Sequence, residues 1–250
     1  MRAVIWDFDE TLARRSGRWS DTLVDVLDAE SPGHSLTAQS FMPGLSHGFP
    51  WHDWERGHPE LSDPDRWWDS LRPVLRGALE QAGVGEKIAK RASARFRSEY
   101  VRLDRWSVFP DTEAALDRVR RQGWRQAILS NHCPELPDIV RGLGLWDYFD
   151  VVLTSAAMGF EKPHPEAYAC ALRDLGNPQA AWMVGDSAEA DIAGARRCGI
   201  PGVLVRRPAP GFNYAPDLIT AVEMIERAPA PSGPRAPRRS GSGSGRGRAR

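Results

Sequence analysis

Residues 3–12 read AVIWDFDETL, four apolar residues that stop at Asp7, with a second acid at Asp9 and a hydroxyl at Thr11. A short apolar run closed by polar residues predicts a strand buried on both faces, as found inside a parallel sheet. The same signature recurs at 126–129 before Ser130-Asn131, at 151–153, at 181–184 before Gly185-Asp186, and at 202–205. Helical patterns separate the later runs: 111–122, with Asp111 placed to cap it and Ala115, Leu116 and Val119 as its buried stripe, then 134–143, 164–175, 188–198 and 216–227. Strands alternating with such helices predict βαβ units, hence an α/β fold: a Rossmann-like parallel sheet core with helices on both faces.

Residues 13–107 interrupt this alternation. They show no clear strand, helical patterns at 20–29, 65–82 and 85–100, and a polar connection rich in Pro, Gly and His over 31–64. A βα loop usually has a few residues, so the stretch is expected to be a helical cap domain inserted after the first strand, over the carboxyl ends of the sheet. The expected organisation is a discontinuous catalytic core, 1–12 and 108–227, a cap at 13–107, and a disordered basic tail rich in Gly, Ser, Pro and Arg at 228–250. Trp51, Trp54, Trp67 and Trp68 cluster in FPWHDWERGHPELSDPDRWW. They either staple an irregular module together or line a substrate pocket.

The chain has 33 basic and 33 acidic residues, but the balance is uneven. The tail holds six arginines and no acid, which leaves 27 basic residues against 33 acidic ones in 1–227. Those spaced arginines lack an interleaved aromatic, so specific nucleic-acid binding is not expected. No apolar run approaches the roughly 20 residues of a membrane helix. Cys133, Cys170 and Cys198 are too few and too far apart for a disulfide framework or a metal knuckle, which suits a reducing cytoplasm. A monomer or homodimer is expected.

In open parallel sheets ligands bind beyond the carboxyl ends of the strands. Those ends carry Asp7, Asp9 and Thr11, then Ser130 and Asn131, then Lys162, then Asp186 and Asp191. Four carboxylates cannot stay ionised in one crevice without cations. Lys162 supplies one charge, and all-oxygen ligands favour a hard divalent ion, Mg²⁺, for the remainder.

These segments together resemble the haloacid-dehalogenase-like hydrolase superfamily, in the branch with a helical cap inserted after the first motif and of phosphatase type. The first motif, DxDxT after a strand, is AVIWDFDETL; the second is AILSN at 127–131; the third is GFEKPHPEAY at 159–168; the fourth is MVGDSAEADIAGARRCG at 183–199. The resemblance implies a phosphomonoester hydrolase for a small phosphorylated metabolite. Asp7 would be the nucleophile that forms an aspartyl-phosphate, and Asp9 the acid that protonates the leaving oxygen and then activates water. Thr11, Ser130, Asn131 and Lys162 would hold the phosphoryl oxygens. Asp7, Asp186 and the Asp9 carbonyl would ligate Mg²⁺, with Asp191 supporting either the metal or Lys162.

Within that family, true dehalogenases lack an acid two positions after the nucleophile, because a halide leaves without a proton. Asp9 therefore points to phosphoester hydrolysis over the alternatives of a 2-haloacid dehalogenase, a phosphomutase or a non-catalytic interaction protein on the same fold. Glu10 stands where many relatives carry glycine. Arg14 and Arg15 either touch an anionic substrate or serve the entrance to the cap. The cap histidines His34, His47, His52 and His58 have no ligand-like spacing, and Cys133 is expected to be a semi-buried thiol.

Overall fold

The computed structural model describes residues 1–229, so most of the basic tail lies outside the described residues. Six parallel strands form the core sheet in the order β5-β4-β1-β6-β7-β8: β1 is Arg2–Trp6, β4 Arg125–Ser130, β5 Val151–Thr154, β6 Ala180–Gly185, β7 Gly202–Val205 and β8 Tyr214–Ala215. Alternate residues of the central strands serve opposite faces, as the two-residue period requires. Val4, Trp6, Ile128, Trp182 and Val184 pack against helices α5 (Thr112–Arg121), α6 (Leu136–Gly142) and α10 (Leu218–Arg227). Ala3, Ile5, Ala127, Leu129, Ala181 and Met183 face Ala167, Tyr168 and Ala171 of α8 (Pro165–Asp174) and Ala195 of α9 (Gly194–Arg197). Each large side chain buried this way is worth roughly 1.5–3 kcal/mol.

Helices α1 (Trp19–Glu30), α3 (Pro64–Gln81) and α4 (Glu86–Tyr100) make the inserted cap, with α2 (Ala38–Phe41) and three 3-10 turns (Pro43–Leu45, Pro50–Asp53, Pro59–Leu61) in the connection. Its own apolar centre joins Leu23, Val26 and Leu27 of α1 to Trp67, Trp68, Leu71 and Leu75 of α3 and Ala89, Ala92 and Phe96 of α4. Cys133 and Ala156 of the core enter the same cluster. The thiol is therefore fully covered rather than semi-buried, because the cap closes over it.

The stretch read as strand-free does contain strands at its margins. β2 (Ala13–Arg15) and β3 (Trp106–Val108) pair antiparallel, Ala13 opposite Val108 and Arg15 opposite Trp106, and form a two-stranded ribbon where the chain enters and leaves the cap. Arg15 stitches this ribbon to α4: its guanidinium donates to the carbonyls of Tyr100 at 3.0 Å and Glu99 at 3.2 Å and lies over the Tyr100 ring. It is buried and committed to structure, which resolves the choice in favour of the cap entrance. Asp111 also departs from its expected role. Its carboxylate makes no cap bond to α5; it accepts from Leu218 N of α10 at 2.7 Å and from the Arg206 guanidinium at 2.9 Å. Among the described residues no helix is long and apolar enough to cross a membrane.

Candidate active site

The carboxyl ends of β1, β4 and β6 open into one cavity of about 470 Å³ between core and cap. Asp7, Asp9, Ser130, Asn131, Lys162, Asp186 and Asp191 all line it. Parallel pairing sets this convergence, since β1 is hydrogen-bonded to β4 on one side and β6 on the other. Asp7 leaves β1 with its amide donating to Val184 O at 2.9 Å, so its position is tied to the neighbouring strand.

Three donors converge on the Asp7 carboxylate. Ser130 Oγ reaches Oδ1 at 3.0 Å, Lys162 Nζ reaches the same oxygen at 2.7 Å, and Thr11 Oγ1 reaches Oδ2 at 3.3 Å. The ammonium of Lys162 is shared with Asp191, at 2.6 Å from its Oδ1. Burial alone would pull the Lys162 pKa down, but the Asp191 and Asp7 carboxylates outweigh it and push it up, so the side chain is held charged. Asn131 clamps the Lys162 backbone from both sides: its Nδ2 donates to Lys162 O at 2.8 Å and its Oδ1 accepts from Lys162 N at 2.6 Å. Its side chain is thus spent on positioning Lys162.

Asp191 sits in a wide π-helical turn, Ala188–Ala193, that replaces the first part of the regular helix expected over 188–198. Its Oδ2 accepts from Ser187 N at 2.9 Å. Gly185 is required beside it, because a Cβ there would overlap the Asp191 carboxylate. Carboxylate oxygens of Asp7, Asp186 and Asp191 lie within 4.8 Å of one another, a spacing that suits a single divalent ion. Their electrostatics fit the same conclusion. Burial, then repulsion from Asp7, lifts the Asp186 pKa from 3.8 to about 6, and Arg207 at 3.4 Å only partly compensates. Burial followed by the charges of Asp7, Glu10 and Asp186 lifts Asp9 to about 7. The cluster is short of positive charge, which a hard dication supplies.

The structure adds contacts around the cavity that the sequence did not show. Glu10 adopts a left-handed φ of 59°, which is the physical reason a glycine suits this position. Arg206 donates to Thr11 O at 2.8 Å and so fixes the turn after Asp9. His132 lies among Phe8, Trp106 and Tyr100, and burial lowers its pKa from 6.5 to about 4. Its Nδ1 is 3.3 Å from Cys133 Sγ, and burial pushes that thiol well up, which favours the neutral thiol over a thiolate. His58 of the cap faces the fully buried carboxyl of Glu161, next to Lys162, at 3.3 Å, and His58 N donates to Gly159 O at 2.7 Å. The tryptophan cluster divides: Trp67 and Trp68 are buried in the cap, whereas Trp51 and Trp54 line the cavity with Trp19 and Tyr100.

The haloacid dehalogenase-like hydrolase family matches residues 1–199. The chain belongs to that family and is a hydrolase. It is 36% identical over 226 residues to a phosphoserine phosphatase of Thermus thermophilus, covering 83% of this chain and 89% of that protein. It is 30% identical to haloacid dehalogenase-like hydrolase domain-containing protein 3 of Bos taurus over 84% of both chains. A solved 2-haloacid dehalogenase of Pseudomonas syringae shares the fold, with a TM-score of 0.65, 23% identity, and coverage of 91% of this chain and 99% of that one.

Proposed function

We propose that the chain is a Mg²⁺-dependent phosphomonoester hydrolase for a small phosphorylated metabolite, with a core at 1–12 and 108–227 and a cap at 13–107. The observation that carries this reading is the pairing of two unlike acids on one turn: Asp7 bound by Lys162, Ser130 and Thr11, and Asp9 with a pKa of about 7. The first is an oriented nucleophile. The second is poised to give and take a proton near neutrality.

In this mechanism an Asp7 oxygen attacks phosphorus and the bond to the leaving oxygen breaks as Asp9 protonates it. Asp9, now ionised, takes a proton from water, which attacks the aspartyl-phosphate and releases phosphate with Asp7 restored. Lys162 stands beside the nucleophile and offsets its charge against the anionic substrate. The Ser130 hydroxyl lines the same cavity, whereas the fully buried Thr11 hydroxyl lies outside the lining and acts through its bond to the Asp7 carboxylate. Asp7, Asp186 and the Asp9 carbonyl, with Asp191 alongside, would hold the Mg²⁺, which supplies charge neutralisation for the phosphoryl group. Carbon–halogen hydrolysis has no use for a proton donor at position 9, so the likeness to a dehalogenase is taken as one of fold.

A phosphate-release screen over sugar phosphates, phosphoglycolate-like acids and nucleotides, with and without Mg²⁺, tests the proposal. Asp7→Asn is expected to abolish turnover with the circular dichroism spectrum preserved. Undiminished turnover by that variant overturns covalent catalysis at Asp7.

A further inference from the structure

We infer that the leaving group of the substrate carries a flat aromatic ring, stacked on Trp54; the inference rests on the phosphatase reading and names its substrate class. Away from the carboxylates, the cap lines the cavity with Trp19, Trp51, Trp54 and Tyr100, none of them charged. The one cation lining the cavity among the described residues is Lys162, and its ammonium is already divided between Asp7 and Asp191. A substrate whose leaving group bears a carboxylate would find no counter-charge there and would face Glu189 and the acid cluster.

The four rings are not equivalent. Trp19 is stacked with Phe96 at 5.2 Å and packed on Tyr100 at 4.5 Å, and Trp51 is stacked on Phe49 at 4.4 Å. Trp54 is half-buried, lines the cavity, and pairs with no aromatic ring among the described residues. It also belongs to neither the cap nor the core apolar cluster. A large apolar ring at a cavity wall, outside the apolar clusters and without an aromatic partner, offers a face to a ligand. One open indole favours stacking of a planar ring over an enclosing cage for a quaternary ammonium, which needs several open faces at once.

The segment that carries Trp54 is fixed at both ends. The Phe49–Trp51 stack precedes it, and after it Gly57 abuts the Phe160 ring and His58 N donates to Gly159 O at 2.7 Å. Gly159 in turn has its Cβ space filled by the Pro59 backbone. The backbone that carries the indole is therefore held in place, which limits the ordering cost of binding to the side chain itself.

The test compares benzyl phosphate with ethyl phosphate, 2-phosphoglycolate and choline phosphate, alkyl esters that differ in what the leaving alcohol carries. Wild-type kcat/KM is expected to be highest for benzyl phosphate. Trp54→Ala should lower the benzyl-to-ethyl ratio about tenfold, through KM, and Trp54→Phe should restore most of it. Preference for 2-phosphoglycolate or choline phosphate, or a Trp54→Ala ratio equal to wild type, overturns the inference. Calorimetric binding of benzylphosphonate against ethylphosphonate separates the two readings. If no ester is hydrolysed but benzylphosphonate binds more tightly in a Trp54-dependent way, the phosphatase reading fails and the aromatic site stands. Equal binding of both phosphonates sinks the aromatic site whatever the activity.

Discussion

Replacing Asp186 by asparagine should stabilise the metal-free protein while destroying its response to Mg²⁺. In the folded chain the Asp186 pKa is raised from 3.8 to about 6, first by burial and then by Asp7. A folded-state pKa above the unfolded one means that the folded state binds the proton more tightly. The resulting penalty is absent below about pH 4, grows through the window between 3.8 and about 6, and is complete above it. A shift of this size corresponds to about 3 kcal/mol at neutral pH. The nearby Arg207 is 58% exposed and recovers little of it. Asparagine keeps the shape and removes the charge. Chemical denaturation in EDTA is therefore expected to show Asp186→Asn more stable than wild type by about 3 kcal/mol near pH 8, the gap closing toward pH 4. Millimolar Mg²⁺ should raise the melting temperature of the wild type and leave that of the variant almost unmoved. A variant less stable than wild type without metal at pH 8, or a gap that does not change with pH, refutes the charge-cluster reasoning.

Other residues give independent tests. His132 has its folded-state pKa lowered from 6.5 to about 4, so stability present above 6.5 is lost as pH falls through that window; His132→Leu should remove about 3 kcal/mol of acid sensitivity, read from denaturation midpoints across the range. His58→Ala leaves the Glu161 carboxyl buried without its partner and should cost about 3 kcal/mol, of which Glu161→Gln in the same background recovers more than half; additive effects in the double-mutant cycle would show that the two do not interact. Glu10→Gly releases a left-handed residue at φ 59° and should raise stability by about 0.5–1 kcal/mol, with a lower melting temperature as the contrary result.

What the sequence made legible is what depends on period and adjacency. Ala3 to Trp6 alternate between two faces, and the polar residues that close each strand land on one edge because parallel strands all point the same way. Trp67, Trp68, Leu71 and Leu75 lie on one side of an 18-residue helix, so their burial follows from helical spacing. Trp51 and Trp54 lie in a 3-10 turn and the residue after it, where no period exists to say which way they face. The ribbon strands β2 and β3 have three residues each, too few to show alternation. Asp111 looked like a cap for the helix it precedes, because an acid at a helix start has the same local pattern whichever N–H it accepts from. Its true partners, Arg206 and Leu218, are 95 and 107 positions away.

The four acids differ in which of them Lys162 can reach. Its ammonium lies within 2.7 Å of Asp7 and 2.6 Å of Asp191, and no other cation is held as closely against the cluster among the described residues. Asp191 has one oxygen engaged by Lys162 and the other by Ser187 N, so each retains a single lone-pair direction. Asp186 forms no ion pair with Lys162 among the described residues, feels its charge only at a distance, and pairs with the exposed Arg207 at 3.4 Å, on the wall of the cavity. Asp9 has no cation paired with it, and burial with the charges of Asp7, Glu10 and Asp186 raises its pKa to about 7; burial raises Asp191 as far, even against Lys162. One ammonium placed off-centre among four acids thus holds Asp7 and Asp191 in place by direct contact and leaves Asp9 and Asp186 without it, which is the asymmetry that the proposed mechanism uses. On the proposed reading Lys162→Met removes the contact that orients Asp7 and should weaken the binding of inorganic phosphate, read as a higher inhibition constant.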